Sequence, residues 1–457
     1  MPTTTQRPAR RVTRRQFLQG CSAAIAAMAG ARLTHVAFAD PNTAGSYNEE
    51  IMVVVFLRGG WDALNVVPPI SGADRTHYVD ARPELHLLDN EPLNLNGQFG
   101  LHPSLAPLLP LYQAGHFAIV HAVGLTYDTR SHFDAQQFLE LGTPGQKNTP
   151  TGWITRHLAS APNLPPAILL PALSAGSTQA MALLGSTEAA AMSSPNGFNI
   201  AGHWHWGDPQ RTALRDMYSG ANWLYEAGTR TLDTIDVVEA SGSASYVPAN
   251  GAAYPNGSFG DNLKAVAQMI KADLGLRVAT IDLGGWDTHE NQGDGAGGYL
   301  ASNQLAPLGQ GLAAFYTDLS NVACGQDYTR KLTLVVMSEF GRRLKENYNH
   351  GTDHGHGNAM FVLGGHVNGG QVYGSWPGLA NNQLYDGADL AVTTDYRRVL
   401  SEIVSKRLTN PNLAAVFPGY NGYTPLNLIQ GSDPVTPPVL PGPNRMYVPL
   451  VQTGGCS

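Results

Sequence analysis

A stretch late in the chain, GTDHGHGN (residues 351–358), places one aspartate and two histidines within four residues. Asp353, His354 and His356 lie in a glycine-rich turn between two apolar runs, where no apolar packing explains the histidines. Carboxylate oxygens and imidazole nitrogens are the usual ligands of Zn, Mn and Fe in proteins. The stretch therefore predicts a divalent metal site, and a polar, solvated loop is the alternative.

Other ionisable residues follow apolar runs of the chain. They are Asp62 after IMVVVFLRGGW, Asp287 and His289 after LRVATIDLGGW, and Glu339 after KLTLVVMS. Because ligands of open α/β sheets bind outside the carboxyl ends of the strands, we expect these side chains to converge. Carboxylates gathered without an equal number of Lys or Arg repel one another unless a cation bridges them. Capping of turns by the aspartates, and pairing of the glutamate with the arginines that follow it, are the structural alternatives.

A second group of residues stands at the start of a predicted helix, in TYDTRSHFDAQQFLEL. Ser131 is placed to cap that helix, with Asp134 three residues later as its partner. The same hydroxyl, at the positive end of a helix and near a metal, can act as a nucleophile, and Thr129 is the second candidate. Arg130 can bind an anionic oxygen, and His132 can be a further metal ligand or an acid or base.

Elements that would position these residues follow from the hydrophobic pattern. Short apolar runs, which predict buried strands, begin near residues 51, 116, 276, 331 and 358. Helices are expected at 103–114, 131–141, 262–274, 303–322 and 396–407. This alternation predicts an α/β fold with a largely parallel central sheet flanked by helices. The α/β domain is expected to span residues 40–418, with an inserted cap at about 149–260 and a Pro/Gly-rich tail at 419–457.

Composition excludes several classes of function. The net charge of the 457-residue chain is −7 and no basic run follows its N-terminal region, so a nucleic-acid partner is not expected. No later segment reaches the roughly 20 apolar residues that span a bilayer, so no membrane span is expected in the mature chain. Cys324 and Cys456 are the cysteines that remain after signal removal, too few to predict a fold held by disulfides.

Residues 1–39 have the features of an export signal. Arg14 and Arg15 precede Gln-Phe-Leu, an alanine-rich apolar stretch follows, and an Ala-Phe-Ala triplet ends at Ala39. This pattern predicts export by the twin-arginine translocase and a periplasmic or extracellular mature protein. Because that pathway carries folded proteins, a metal acquired inside the cell is compatible with it.

Several motifs together resemble those of an exported bacterial family known as domain of unknown function 1501. They are GGWDALN, RSHFDAQQFLELG, GGWDTHEN, SEFGRR and GTDHGHGNAMFVLGGHVNGGQVYG, and the likeness runs from about Ile51 to Ser405. The order of the acidic residues, the serine and the histidines is also similar to that of the alkaline phosphatase and sulfatase superfamily. That resemblance implies an alkaline phosphatase-like fold, one or two divalent metals and a Ser, Thr or formylglycine nucleophile.

The superfamily resemblance implies roles for individual residues, with Ser131 as the nucleophile. The implied ligands are Asp287, His289 and His354 for one metal and Asp62 and Glu339 for the other. The superfamily usually has Asp-x-x-x-His where this chain has Asp287-Thr-His289, and Asp-His where it has Glu339-Phe340. The second metal is therefore completed by His132 or His356, or the site holds a single metal.

We therefore predict a metal-dependent hydrolase that cleaves a small-molecule or glycan phosphate or sulfate ester. The metal, one or two ions of Zn, Mn, Fe, Mg or Ca, would polarise the ester, and Ser131 or a bound water would attack while Arg130 holds the anion. Another metal-dependent hydrolase or transferase is one alternative. A non-catalytic periplasmic or cell-surface binding protein with a residual metal site is another.

Two features of the expected cap have two interpretations each. Its aromatic residues, including Trp223 and Tyr225, either stack on a sugar or aromatic substrate or pack in the core. His203 and His205 lie two residues apart and either form a separate surface metal pair or are ordinary polar residues.

Overall fold

Thirteen strands and eleven α-helices lie in the part of the chain that this computed structural model describes, residues 47–164, 168–200, 207–220, 222–240, 246–320 and 327–434. The strands are β1 (Ile51–Leu57), β2 (Leu93–Asn94), β3 (Gly100–Leu101), β4 (Phe117–Gly124), β5 (Ala172–Ala175), β6 (Ala189–Ala191), β7 (Val278–Leu283), β8 (Leu332–Ser338), β9 (Arg342–Glu346), β10 (Thr352–His354), β11 (Asn358–Gly364), β12 (Val372–Tyr373) and β13 (Thr394–Asp395). The helices are α1 (Ala63–Val66), α2 (Gly72–Ala81), α3 (Leu109–Gln113), α4 (His132–Leu141), α5 (Trp153–Ser160), α6 (Gly207–Met217), α7 (Trp223–Ala240), α8 (Ser258–Lys271), α9 (Ala306–Leu319), α10 (Tyr396–Glu402) and α11 (Leu413–Val416).

Some sequence predictions concern residues outside these ranges. They are the export signal at 1–39, the pair His203 and His205, the cysteines Cys324 and Cys456, and the tail beyond residue 434.

The five apolar runs form the five central strands of a nine-stranded sheet. Its order is β12-β4-β11-β8-β1-β7-β5-β6, and β13 pairs with β4 at one end of the strand. All residues of β1, β4, β8 and β11 are buried, as expected for strands that are covered by helices on both faces. The prediction of a largely parallel sheet flanked by helices is confirmed.

One central strand runs against the others. β1 is parallel to both β7 and β8, whereas β11 is antiparallel to both of its neighbours, β8 and β4. The residues that precede β11 therefore lie at the same edge as the residues that follow β4, β8, β1 and β7. This edge of the sheet carries the candidate site.

Each face of the sheet has its own core. On β1, Val53 and Val55 face a cluster that includes apolar residues of α8 and α9. Met52 and Val54 face a second cluster that includes residues of α4, α5 and α10. Burying each such aliphatic side chain stabilises the fold by roughly 1.5–3 kcal/mol, so the sheet edge is a rigid platform.

The segment 149–260, expected to form a cap, contributes two strands to the central sheet. β5 pairs in parallel with β7, and β6 pairs with β5. Helices α6 and α7 of the same segment are joined by ion pairs such as that of Arg215 with Asp233, 2.6 Å. Within the described ranges, none of the helices is long and apolar enough to cross a bilayer.

Candidate metal centre

Three histidines and one aspartate converge at the carboxyl edge of the sheet. Oδ1 of Asp287 lies 3.1 Å from Nε2 of His354, 3.2 Å from Nε2 of His289 and 3.3 Å from Nε2 of His132. Ligand atoms of His132, Asp287 and His354 all lie within 4.8 Å of one another, as a shared metal ion requires. Three separate chain segments therefore supply a single cluster of donor atoms.

Each histidine is held through its other ring nitrogen. Nδ1 of His132 lies 2.7 Å from Glu339, Nδ1 of His289 lies 3.2 Å from Asp353, and Nδ1 of His354 lies 2.8 Å from the carbonyl oxygen of Arg130. Since carboxylates and carbonyls accept hydrogen bonds, all three Nδ1 atoms carry the proton. The three Nε2 atoms are then left with lone pairs, which is the arrangement that metal-binding histidines show.

The nitrogen atoms of two of these rings lie close together. Nε2 of His289 lies 2.8 Å from Nε2 of His354, a separation that is stabilised either by a proton on one of these atoms or by a bound cation. Nε2 of His132 is buried and has no hydrogen-bond partner among the described residues. Donors bound to one ion at about 2.0–2.1 Å in a tetrahedron lie roughly 3.3 Å apart, close to the separations of Asp287 Oδ1 from the three nitrogen atoms. The triad of His132, Asp287 and His354 therefore fits one metal ion and leaves positions for His289, water or a substrate.

Charges around the cluster favour its ionised carboxylates. Burial works to raise the pKa of Asp287, but the hydrogen bond from Arg342 and the close contact with His354 outweigh it and lower that pKa to about 2. Burial likewise opposes ionisation of Glu339, yet hydrogen bonds from His132 and Gln136 lower its pKa. Burial lowers the pKa of His132, whereas its hydrogen bond to Glu339 and the nearby negative charges raise it overall. The cluster is therefore an environment that favours cations.

Close backbone approaches bring the donors together. A Cβ atom at Gly59 would lie 2.5 Å from the backbone nitrogen of Asp287, so the loops after β1 and β7 touch only because residue 59 is glycine with φ +127°. A Cβ atom at Gly351 would lie 2.3 Å from the carbonyl carbon of His289. The backbone nitrogen of Thr352 donates to the carbonyl of Thr288, which fixes β10 beside the Asp287 loop.

Glu339 supports the site from beneath. It is fully buried, and its Oε1 accepts hydrogen bonds from His132, from the side chain of Gln136 at 2.8 Å and from the backbone of Gly59 at 2.8 Å. The sequence prediction made Glu339 a direct ligand, with pairing to the following arginines as the alternative. The structure places it as the acceptor that orients His132.

Asp62 lies apart from the cluster, in an ion pair. It is fully buried, and its two oxygens accept from Arg82 at 2.6 and 2.9 Å, while Gln292 donates to Oδ2 at 2.6 Å. Phe340, the residue after Glu339, packs its ring 4.9 Å from those of both His132 and His354. In the described residues the geometry thus provides one metal position, without a second at Asp62.

His356 and Asp353, the remaining predicted ligands, differ in their placement. His356 is buried and its ring stacks on Tyr385 at 4.3 Å, away from the other donors. Asp353 accepts from Asn347 at 3.0 Å and from His289, so it supports a ligand from outside. Seven histidines and aspartates were predicted as ligands or catalytic groups. The structure brings four of their side chains together, those of His132, Asp287, His289 and His354.

The predicted nucleophile and anion clamp flank the cluster in sequence. Ser131 is exposed and caps α4, its Oγ accepting from the backbone nitrogen of Asp134 at 3.4 Å, as its spacing predicts. Arg130 pairs with Asp389 at 2.6 Å, so its charge is already neutralised. Arg130 contacts the site through its backbone carbonyl, which accepts a hydrogen bond from Nδ1 of His354.

Sequence reasoning missed Arg342 as a site residue. Its fully buried guanidinium donates to Asp287 at 2.7 Å and to the carbonyls of Gly60, Trp286 and Thr352. The signal for it is the run SEFGRR, whose arginines were expected only as ion-pair partners of Glu339.

The cluster is open on one side. The side chains of Asp287 and His289 are 48% and 40% exposed, so solvent or a substrate reaches the donors. Structural metal sites are closed by protein ligands, whereas catalytic sites keep a position for water or substrate. The arrangement can hold one ion and present it to a ligand.

Comparison with known proteins identifies a family. The sequence model of the family described as "Protein of unknown function (DUF1501)" matches residues 198–410, a stretch that contains Asp287, His289 and His354. The family resemblance seen in the motifs is confirmed. No curated protein and no solved structure matches this chain.

Proposed function

We propose that this chain, which belongs through residues 198–410 to the DUF1501 family, is an exported hydrolase that cleaves a phosphate or sulfate ester at a single metal centre. The observation that carries the proposal is the convergence of three Nε2 atoms on one carboxylate oxygen at an open sheet edge. A set of three imidazoles and one carboxylate suits Zn, Mn or Fe better than Mg or Ca, which prefer oxygen ligands.

The residues of the chain divide the work of the proposed reaction. His132, His289, His354 and Asp287 would hold the ion, which supplies Lewis acidity for the ester oxygens and acidifies a bound water or hydroxyl. Ser131 presents an exposed hydroxyl at the positive end of α4, immediately before His132. The hydroxyl of Ser131 or a bound water is then the nucleophile, as in other metal-assisted ester hydrolysis.

The proposal also keeps the alkaline phosphatase-like architecture and the export route. The mostly parallel sheet with its site at the carboxyl edge supports the former. The paired arginines and the Ala-Phe-Ala triplet of residues 1–39 support the latter.

Elemental analysis of the purified chain beside ester turnover tests the function. We expect near-stoichiometric Zn, Mn or Fe in the wild type and turnover of p-nitrophenyl phosphate or sulfate, both lost in Asp287→Ala and His354→Ala. His366→Ala is the matched control, because His366 lies in the loop after β11, at the opposite edge of the sheet, and pairs with Gln430 at 3.3 Å.

Two results would contradict the proposal. Less than roughly a tenth of an equivalent of metal in the wild type, with no reconstitution, would remove the metal centre. Bound metal without turnover of any ester would favour the binding-protein alternative.

A further inference from the structure

Tyr299 is a partly exposed aromatic residue close to the loop after β7, the loop that carries Asp287. Its side chain is 40% exposed, and it immediately precedes the π-helical turn Leu300–Leu305, which continues into α9. Wide helical turns of this kind are rare and often occur at functional sites. The proposed reaction gives Tyr299 no role.

The hydroxyl of Tyr299 contacts the backbone of the loop after β7. A Cβ atom at Gly285 would lie 2.8 Å from this hydroxyl and 2.3 Å from Nε2 of Gln304, so the contact depends on glycine at this position, where φ is +92°. The hydroxyl lies within roughly 4.3 Å of the Cα atom of Gly285, because a carbon–carbon bond measures about 1.5 Å. The Cα atom of Asp287, two residues further on, is then at most about 12 Å from the hydroxyl.

Gln304 determines which part of the Tyr299 hydroxyl is free. Its Nε2 atom donates to the carbonyl oxygen of Gly285 at 2.9 Å, and this contact fixes the orientation of the amide because a carbonyl only accepts. The same Nε2 atom lies 2.8 Å from the hydroxyl oxygen of Tyr299, which therefore accepts the second amide hydrogen. The hydroxyl proton has no acceptor within the described ranges, so it is available to a ligand.

The segment that contains Tyr299 is tied to the loops of the metal centre. The backbone nitrogen of Leu300 donates to the carbonyl of Gln292 at 2.8 Å. The buried side chain of Gln292 in turn accepts hydrogen bonds at 2.8 Å each from Thr288 and Thr352, one in each of two chain segments that supply donors. These contacts hold Tyr299 in place relative to the metal centre, as a residue that positions substrate requires.

The surface between Tyr299 and the metal centre is open. Gly284, Gly285 and Asp287 are exposed, and a Cβ atom at Gly284 would have no neighbour within 4 Å among the described residues. Because the two glycines have no side chains, a ligand can lie directly on their backbone. Its ester would then reach the donors while the rest of the molecule lies beside Tyr299.

The chemistry of Tyr299 favours one class of ligand. Its exposed ring offers an apolar face, and its hydroxyl offers an unpaired proton. An alkyl or aryl group would cover the ring and displace water from the hydroxyl without replacing the lost hydrogen bond, which is unfavourable. A sugar ring matches both features, because its C–H face packs on an aromatic ring and its hydroxyl oxygens accept hydrogen bonds.

We propose that Tyr299 binds the carbohydrate part of the substrate and that the substrate is a sulfate or phosphate ester of a sugar. This inference rests on the proposed hydrolase function and names the substrate class of the same site. Tyr299 acts in specificity, since it contacts the sugar and not the ester that is cleaved.

The test compares Tyr299→Phe and Tyr299→Ala with the control Tyr47→Phe, since Tyr47 is 39% exposed and precedes β1 at the opposite edge of the sheet. Substrates are the sulfate and phosphate monoesters of glucose, galactose and N-acetylglucosamine, with hexyl sulfate and hexyl phosphate as esters without a sugar. The release of inorganic sulfate or phosphate measures turnover. Calorimetric titration of metal-free protein with maltotriose, cellotriose and chitotriose is a readout that is independent of turnover.

We expect the wild type to cleave a sugar ester with a higher kcat/KM than the hexyl ester of the same anion. Tyr299→Phe keeps the ring and removes the hydroxyl, so it should raise KM for the sugar ester about 3–10-fold and leave the hexyl esters unchanged. Tyr299→Ala should raise this KM further, because the ring is lost as well. Trisaccharide affinity should fall in the same order, while metal content and thermal stability stay unchanged.

Other outcomes would overturn the inference. If KM for the sugar esters and trisaccharide affinity change no more in Tyr299→Phe than in Tyr47→Phe, Tyr299 does not bind a sugar. If a hexyl ester is cleaved with a higher kcat/KM than every sugar ester, the substrate class is wrong. If no ester is cleaved, the hydrolase proposal fails, while trisaccharide binding that weakens in Tyr299→Phe still supports Tyr299 as a sugar-binding residue.

Discussion

The sequence Gly-Gly-Trp-Asp occurs twice, after the adjacent parallel strands β1 and β7, and its two aspartates have different surroundings. Asp62 is fully buried and both of its oxygens are bound by Arg82. Asp287 is half exposed, and one of its oxygens lies 3.1–3.3 Å from three imidazole nitrogens. A strand-end motif thus fixes where a carboxylate lies, and residues distant in sequence decide whether it forms an ion pair or is available to a metal.

The two motifs are joined into one platform. Arg342 donates to the carbonyls of Gly59 and Gly60 in the first and to the carbonyl of Trp286 and the carboxylate of Asp287 in the second. The two tryptophan rings of the motifs pack edge to face at 5.8 Å. The first motif therefore supports the loop that holds Asp287.

The largest difference that we expect between the two aspartates is in stability. Asp62→Asn leaves the fully buried Arg82 without a counter-charge and should lower the free energy of unfolding by about 3–5 kcal/mol. Asp287→Asn should cost under about 2 kcal/mol in metal-free protein, because Asp287 is half exposed and Arg342 keeps its carbonyl acceptors. Urea unfolding of both variants measures the loss of unfolding free energy. A greater loss in Asp287→Asn than in Asp62→Asn would contradict the distinction between the two aspartates.

The histidines also fall into two groups, those buried in the core and those of the candidate metal centre. The core histidines predict that the stability of the protein depends on pH. Burial lowers the pKa of His102, His121 and His157 to about 4 each. His121, for example, donates from Nε2 to the carbonyl of Val67 and accepts at Nδ1 from the backbone of Ala122, so its neutral form is satisfied. The site histidines, by contrast, direct unprotonated nitrogens at one another.

The sign of the pH effect follows from these lowered pKa values. Between pH 6.5 and about 4 the unfolded chain binds protons that the folded chain does not, so stability falls as pH falls, by about 3 kcal/mol per core histidine. Urea unfolding of metal-free protein across this range measures the slope. His157→Gln should remove the contribution of one proton, and an unchanged slope in that variant would contradict the assignment.

A smaller effect should separate the two carboxylates that support ligand histidines. Glu339→Gln replaces the carboxylate that accepts hydrogen bonds from His132, Gln136 and Gly59 with a neutral amide. We expect this change to weaken metal affinity about 10–100-fold, measured by competition with a chelator. Asp353→Asn should have a weaker effect, because Asp353 is half exposed and contacts His289 at 3.2 Å. If metal affinity falls equally in the two variants, or falls more in Asp353→Asn, the burial of the carboxylate does not determine how much it contributes to metal binding.

The predictable part of the fold is local. The five apolar runs predict the central strands because they are short and mostly apolar, and Ser131 predicts the start of α4 through its spacing to Asp134. The direction of β11 is not encoded in this way, because an apolar run suits either direction. Its reversal brings the turn with His354 to the edge where Asp287 lies.

The division of roles within the site depends on long-range contacts. Arg82 is 20 residues from Asp62, and His132 is 207 residues from Glu339, so no spacing reveals either pair. Asp287, His289 and His354, which the structure brings together, were predicted as ligands by their type and position, since each follows or precedes an apolar run.

X-ray absorption at the edge of the bound metal tests the central claim most directly. We expect a first shell of about three imidazole nitrogens at roughly 2.0–2.1 Å with oxygen donors completing it, and loss of one imidazole in His132→Ala. Asp62→Asn should leave the spectrum unchanged, since Asp62 is bound to Arg82. A shell of oxygens alone, or a spectrum that changes in Asp62→Asn and not in His132→Ala, would contradict the account.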